Sequence, residues 1–184
     1  MLSYDFFGAA LPYDRFLDRF GTSGDRYRWD AVRERVVLTD DQKKRLSRFR
    51  RRMNVLVLAG AWCGDCAGQC PIFERFAEVV PVIVPRYLDR DAHAAAQEEL
   101  RINGGNRVPV VVFFSEDGFE VSRFGERTLT SYRKMVAELG GESCGSGVVA
   151  GDTLAGIVND WLNEFERVQA ILRLSPRLRR LHGD

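Results

Sequence analysis

The sequence predicts an α/β domain: a central mixed sheet flanked by helices, with helical extensions at both ends. Two observations carry this. "NVLVLAG" from Asn54, "VIVPRYL" from Val82 and "VPVVVFF" from Val108 are short continuous apolar runs, as expected of strands covered on both faces. The stretches between them, and those before Asn54 and at the C-terminus, repeat apolar residues at helical spacing instead.

In chain order, "LPYDRFLDRFGTSG" sets Leu11, Phe16, Leu17 and Phe20 at helical spacing and ends in a glycine-rich turn. "TDDQKKRLSRFRRR" opens with Thr39 three residues before Gln42, a capping-box pattern, with Leu46 and Phe49 facing inward. The period then changes at Asn54 to that of a buried strand. "PIFERFAEVV" returns to helix, with Ile72, Phe73, Phe76 and Val80 on one face. The second strand, Val82–Leu88, carries Pro85. Proline cannot donate to a ladder, so this strand is expected at a sheet edge. "DAHAAAQEELRI" reads as a short helix starting near Asp89 or Asp91. "VPVVVFF" is a strand, "SEDG" a turn and "FEVSRF" its antiparallel hairpin partner. "TSYRKMVAEL" is a helix stopped by Gly140, and "GGESCGSGVVAGD" a linker of small residues. The last long segment sets Leu154, Ile157, Val158, Trp161, Leu162, Phe165, Val168 and Ile171 on one face, an amphipathic helix capped by Asp152. The first two strands are expected parallel, through a right-handed crossover. The expected organisation is one globular domain: a helical N-terminal extension over residues 1–53 packed on a core at 54–140, then linker and long helix over 141–184.

Composition bounds the function. The chain has 184 residues, of which 45% are hydrophobic and 29% charged, so it reads as soluble and globular. The net charge of +1 argues against a nucleic-acid partner, which calls for a strong basic excess. The basic run from Lys43 to Arg52 reads as the solvated face of a helix. No run reaches the roughly 18 apolar residues that a membrane span needs, and the N-terminus lacks a basic leader region. A cytoplasmic protein is expected, where clustered thiols stay reduced.

Three of the four cysteines fall in "AGAWCGDCAGQCP", from Ala59 to Pro71. Cys63 follows a buried strand and opens a helix, where unpaired amides and the helix dipole favour an anion. In a C-x-x-C motif there, the first thiol's pKa can fall from about 8.5 into the range of roughly 3.5–7.5. Cys66 lies one turn on, close enough for a small disulfide ring. Zinc ligands use the same spacing, but zinc needs four ligands, and Cys144, His93 and His182 stand apart in sequence. An iron–sulfur run of the ferredoxin type needs two residues between its second and third cysteines, and here there are three. No metal is therefore expected. Cys70 reads as a small buried thiol; a bridge to Cys66 would distort the helix. Cys144 reads as a free thiol in the linker.

The stretch around the motif resembles the thioredoxin superfamily, as an oxidoreductase with "WCGDC" at its centre. The resemblance covers roughly residues 54–140. It rests on the strand-to-"AWCGDC" junction, Pro71 five residues after Cys66, Val108–Pro109 before a strand, and Gly125 after the hairpin strand. It implies that Cys63 attacks a substrate disulfide and Cys66 resolves the mixed disulfide. It implies a substrate surface built from Trp62, Gly64, Asp65, Val108 and Pro109, with a cis peptide bond before Pro109. It implies no cofactor. The expected partners are a disulfide-containing protein substrate and a thiol reductant such as a thioredoxin reductase, with no nucleic acid and no membrane. Two departures stand out. The family's buried acid, six residues before the first cysteine, is replaced by Val57, and the usual proline between the cysteines by Asp65. Asp65 is expected to disfavour the Cys63 thiolate. Glu74 and Glu78, further down the helix, are read as solvated. The alternative reading is a binding or scaffold protein that works through its helical extensions.

Overall fold

The computed structural model describes residues 2–139 and 153–184. Gly140, the linker with Cys144 and the expected cap Asp152 lie outside the described residues. Four helices precede the sheet: α1 (Asp5–Ala9), α2 (Tyr13–Phe20), α3 (Ser23–Arg35) and α4 (Asp40–Leu46). The sequence pattern anticipated α2 and α4 but not α1 or α3 as separate elements. Thr39 and Gln42 form the anticipated capping box on α4, and Thr22 with Asp25 forms a second on α3.

Strand β1 (Met53–Ala59) leads into α5 (Gly64–Val79), a single helix with Pro71 inside it. There follow β2 (Ile83–Asp89), α6 (Ala94–Glu99), β3 (Val110–Phe114), β4 (Glu120–Gly125), α7 (Leu129–Glu138), α8 (Thr153–Leu174) and α9 (Pro176–His182). Helix α6 starts later than the sequence suggested. The Asp89 side chain instead accepts N–H bonds from Asp91 and Ala92, holding a turn ahead of the helix.

The sheet order is β2-β1-β3-β4. β1 runs parallel to β2, from Met53 opposite Ile83 to Ala59 opposite Asp89, and antiparallel to β3; β3 and β4 are antiparallel. The proline-bearing strand lies at an edge, as expected. Among the described residues, what stands beyond it is a two-bond bridge at one residue, with Leu11 and Tyr87 exchanging N–H···O bonds of 2.8 and 2.7 Å.

Helix α8 covers the core with Val158, Trp161, Leu162, Phe165 and Val168, all buried; Ile171, placed on that face by its spacing, is exposed. Trp161 meets Phe73 and Phe124 at ring separations of 4.7 and 4.9 Å, and Phe165 meets Phe113 at 5.0 Å. Burying one such ring contributes roughly 1.5–3 kcal/mol. The basic run is also not a purely solvated face. Arg45 pairs with Glu166, Arg51 is buried against Asp184, and the Gln169 side chain accepts the N–H groups of Arg50 and Arg51. Arginines spaced like a solvated face are therefore used to fasten the C-terminal helices. Among the described residues, no helix is long and apolar enough to cross a membrane.

Candidate active site

Strand β1 ends at Ala59, and the chain turns through Gly60–Trp62 before α5 begins. A Cβ at Gly60 would lie 2.8 Å from the Trp62 ring, so the turn closes this tightly only around a glycine. Cys63 is the N-cap of α5, with extended backbone angles and its N–H on the Gly60 carbonyl at 3.0 Å. Its thiol, 8% exposed, donates to the Val108 carbonyl at 3.7 Å; Cys66 is fully buried. The Val108–Pro109 peptide bond is cis. A Cβ at Gly125 would stand 2.6 Å from the Pro109 carbonyl oxygen, so the end of β4 also needs glycine to approach this loop.

The Cys63 thiol thus meets the Val108–Pro109 step, with Trp62 beside it in sequence and exposed. Trp62 is 48% exposed, and the Arg90 guanidinium lies 4.7 Å from its ring centroid. Arg90 also donates to the Asn106 carbonyl, tying the tryptophan to the loop before Pro109. Gly64 is exposed, with open space where a Cβ would project, so nothing in the packing demands glycine there.

Asp65 departs from expectation. Its carboxylate is gripped by Arg127 through two bonds of 3.0 and 2.5 Å, and Arg127 also holds Glu126 at 2.9 Å. The carboxylate is therefore paired with a cation, and its charge does not act on Cys63 uncompensated. The Cys63 thiol also departs from the expected lowering. Its hydrogen bond with Cys66 pushes its pKa up, and burial adds to this; the N–H groups of Cys66 and Asp65 pull it down by less. Burial holds the Cys66 thiol well up too.

Glu74 is a third correction. It is not solvated but sits under α2 and α3, where Tyr87 donates to it at 2.8 Å. Burial pushes its pKa up from 4.5 to about 7, against the pull of Tyr87 and Arg33. Glu78 is exposed as expected, paired with Arg33 and Arg75.

Several residues of the site gave no signal in the sequence. Trp29 donates its indole N–H to the Ala61 carbonyl at 2.9 Å, and Arg28 donates to the Trp62 carbonyl at 3.1 Å. Gln69 donates to the Glu126 carbonyl at 3.0 Å and accepts from the Trp161 indole at 3.0 Å. These contacts span 32 to 92 positions of sequence, beyond the reach of local pattern.

A strand–turn–helix carrying C-x-x-C at the helix start, facing a proline loop on the neighbouring strand, is a thioredoxin-like arrangement. The thioredoxin family model matches residues 12–139, and the chain belongs to that family. The match begins before the first strand, so α2, α3 and α4 fall inside it. No curated protein matches the chain. Among solved structures, it is similar to a protein of unknown function from Pseudomonas aeruginosa, at a TM-score of 0.71 and 16% identity, covering 91% of this chain and 97% of that one. An HIV epitope scaffold matches at a TM-score of 0.63 and 19% identity, covering 100% and 99%. A thioredoxin from Fasciola hepatica is 28% identical over 53% of this chain and 90% of its own, at a TM-score of 0.36. The first two likenesses bear on the fold.

Proposed function

We propose that the chain is a thiol–disulfide oxidoreductase that reduces protein disulfides through a Cys63–Cys66 cycle. The observation that carries this is the Cys63 thiol at the helix start, set against the carbonyl of Val108, with the Cys66 thiol fully buried one turn behind it. Cys63, once deprotonated, attacks a substrate disulfide; the substrate's first sulfur leaves with the electron pair. Cys66 then loses its proton and attacks the Cys63 sulfur. The second substrate sulfur leaves reduced, and a Cys63–Cys66 disulfide remains. The Asp65 and Cys66 amides receive the developing charge on Cys63. Trp62 and the backbone at Val108–Pro109 form the wall along which a substrate peptide lies, with Gly64 and Asp65 on its rim. A thiol reductant, such as a thioredoxin reductase in the cytoplasm, returns the disulfide to the dithiol.

Insulin reduction by dithiothreitol tests this. The native protein is expected to accelerate precipitation of the insulin chains, and Cys63→Ser to abolish the acceleration. A native protein that leaves the rate unchanged would refute catalysis and favour a binding role.

A further inference from the structure

The basic run from Lys43 to Arg52 does more than fasten α8 and α9. Arg45 and Arg51 are used that way, but Arg48, Arg50 and Arg52 are exposed. Gln169 on α8 accepts the Arg50 N–H, and Arg51 pairs with Asp184 just past α9. The run and the last two helices therefore meet at one end of the molecule. Arg173, Arg179 and Arg180 are exposed there as well. Residues 43–52 and 173–184 together hold eleven of the chain's 27 basic residues and one of its 26 acidic ones. The rest of the chain holds 16 basic and 25 acidic residues. The net charge of +1 thus hides a cationic end on an otherwise acidic chain.

The acids at this end are engaged. Arg51 holds the Asp184 carboxyl below its usual range, with Arg173 adding to the pull. Glu166 pairs with Arg45, Asp117 with Arg177 and Glu116 with His182. Among the described residues, Arg48, Arg50, Arg52 and Arg180 have no carboxylate partner. Apolar side chains reach the surface between the cations. Leu174, next to Arg173, is 75% exposed, and Leu181, next to Arg180, 66%.

We propose that this end is a docking surface for an anionic lipid bilayer, with the guanidinium groups on headgroup phosphates and Leu174 and Leu181 entering the boundary with the acyl chains. A guanidinium is weakly hydrated and forks onto phosphate oxygens. A leucine beside it gains little from the hydrated backbone of a nucleic acid, whereas a bilayer offers phosphate and hydrocarbon at neighbouring depths. The sequence expectation of no membrane partner rested on the lack of a spanning segment, and a peripheral surface needs none. The placement also leaves the thiols free. Arg52 immediately precedes β1, and the cysteine turn follows the far end of that strand. Seven residues of strand span roughly 20 Å. A chain docked through its arginines therefore keeps Cys63 at the end away from the bilayer, and the docking surface does not depend on the dithiol cycle.

The test is co-sedimentation of the full chain with vesicles of phosphatidylcholine alone and of phosphatidylcholine with about one-third phosphatidylglycerol. Binding is expected to the anionic vesicles and not to the neutral ones, and is expected to fall as salt is raised. Arg50→Gln combined with Arg173→Gln is expected to weaken it about 25-fold, at about fivefold for each basic residue near such a surface. Leu174→Gln combined with Leu181→Gln is expected to weaken it about tenfold. Thermal melting and insulin reduction of both pairs are expected to match the native protein. If the arginine pair fails to fold, Arg52→Gln with Arg180→Gln takes its place. An absence of binding to the anionic vesicles overturns the proposal. Undiminished binding by the leucine pair overturns it too, since bare charge attraction would then account for the contact. Binding of polyglutamate or of a DNA duplex at concentrations well below those needed for the vesicles overturns it in favour of an acidic macromolecule. The Cys63–Cys66 cycle stands or falls separately, on insulin reduction by the native protein.

Discussion

Two helical regions flank the site, and each reaches it with one buried indole. From the N-terminal side, Trp29 on α3 bonds the Ala61 carbonyl, in the turn that carries the cysteines. From the C-terminal side, Trp161 on α8 bonds the Gln69 side chain, which in turn holds the Glu126 carbonyl. Their surroundings differ. The α8 contact is an aromatic cluster of Phe73, Phe113, Phe124 and Phe165. The α2–α3 contact mixes rings with charge: Tyr13 donates to Asp30, Arg33 pairs with Glu78, and Tyr87 donates to Glu74. The C-terminal region packs on the core through apolar rings and carries its ion pairs, Arg45 with Glu166 and Arg51 with Asp184, around them. The N-terminal region holds the cysteine turn through the Trp29 indole and sets titratable groups, Asp30, Arg33 and Glu74, behind it.

Breaking the indoles gives the largest effects. Trp29→Ala and Trp161→Ala are each expected to cost about 3–5 kcal/mol of stability, since both rings are fully buried. Phenylalanine separates packing from bonding. Trp29→Phe leaves the Ala61 carbonyl without its partner, and Trp161→Phe leaves the Gln69 oxygen, at about 1–3 kcal/mol each by denaturant melts. Insulin reduction sharpens the contrast. Trp29→Phe is expected to lower the rate more, because its bond is to the backbone of the cysteine turn. Equal losses in the two variants would remove the distinction between the two regions.

A smaller effect is expected at Glu74. Its folded pKa, about 7, lies above its ordinary 4.5, so the folded state holds this proton longer than the unfolded chain. The native protein therefore loses stability as pH rises from about 4.5 to 7, and no more from this group above that. The full shift corresponds to roughly 3 kcal/mol, which partial exposure of the site reduces to on the order of 2. Glu74→Gln keeps the Tyr87 hydrogen bond and removes the charge. It is expected to match the native protein near pH 4 and to exceed its stability at pH 8. Identical stability-against-pH curves for the two proteins would show that the carboxylate finds water.

The succession of strands and helices from β1 to α7, the edge position of β2, the start of α5 at the cysteines and the α4 capping box were all legible, because each depends on neighbours in the chain. Short-range rules failed where a long-range partner intervened. Glu74 looked solvated by its residue type and sits under two helices. Arg51 looked like part of a solvated run and is buried against Asp184. Asp65 was read as a free carboxylate because Arg127, which neutralises it, stands 62 positions away. The same blindness applied to Cys63, whose helix-start position suggested a lowered pKa. The neighbouring thiol was in view in the C-x-x-C motif, but the burial that adds to its effect appears only in three dimensions.

The smallest expected effects lie in that Asp65–Arg127 pair. Asp65 belongs to α5, and Arg127 leads into α7. Because the charges are paired, removing either leaves the other less compensated. Asp65→Asn leaves Arg127 with Glu126 as its remaining carboxylate, so more of its positive charge bears on the helix start, where a cation stabilises the Cys63 thiolate. Arg127→Ala leaves Asp65, which disfavours it. The two substitutions are therefore expected to move the Cys63 pKa in opposite directions, down and up, each by about a unit or less at this partly exposed site. The measurement is the iodoacetamide alkylation rate of Cys63 against pH. In the native protein the rate is expected to keep climbing past pH 8, because Cys66 and burial hold the thiol up. A native plateau below pH 8 would mean that the Asp65 and Cys66 amides outweigh them. Shifts of the same sign in both variants would mean that the carboxylate and guanidinium act on Cys63 by altering the helix start rather than through their charge.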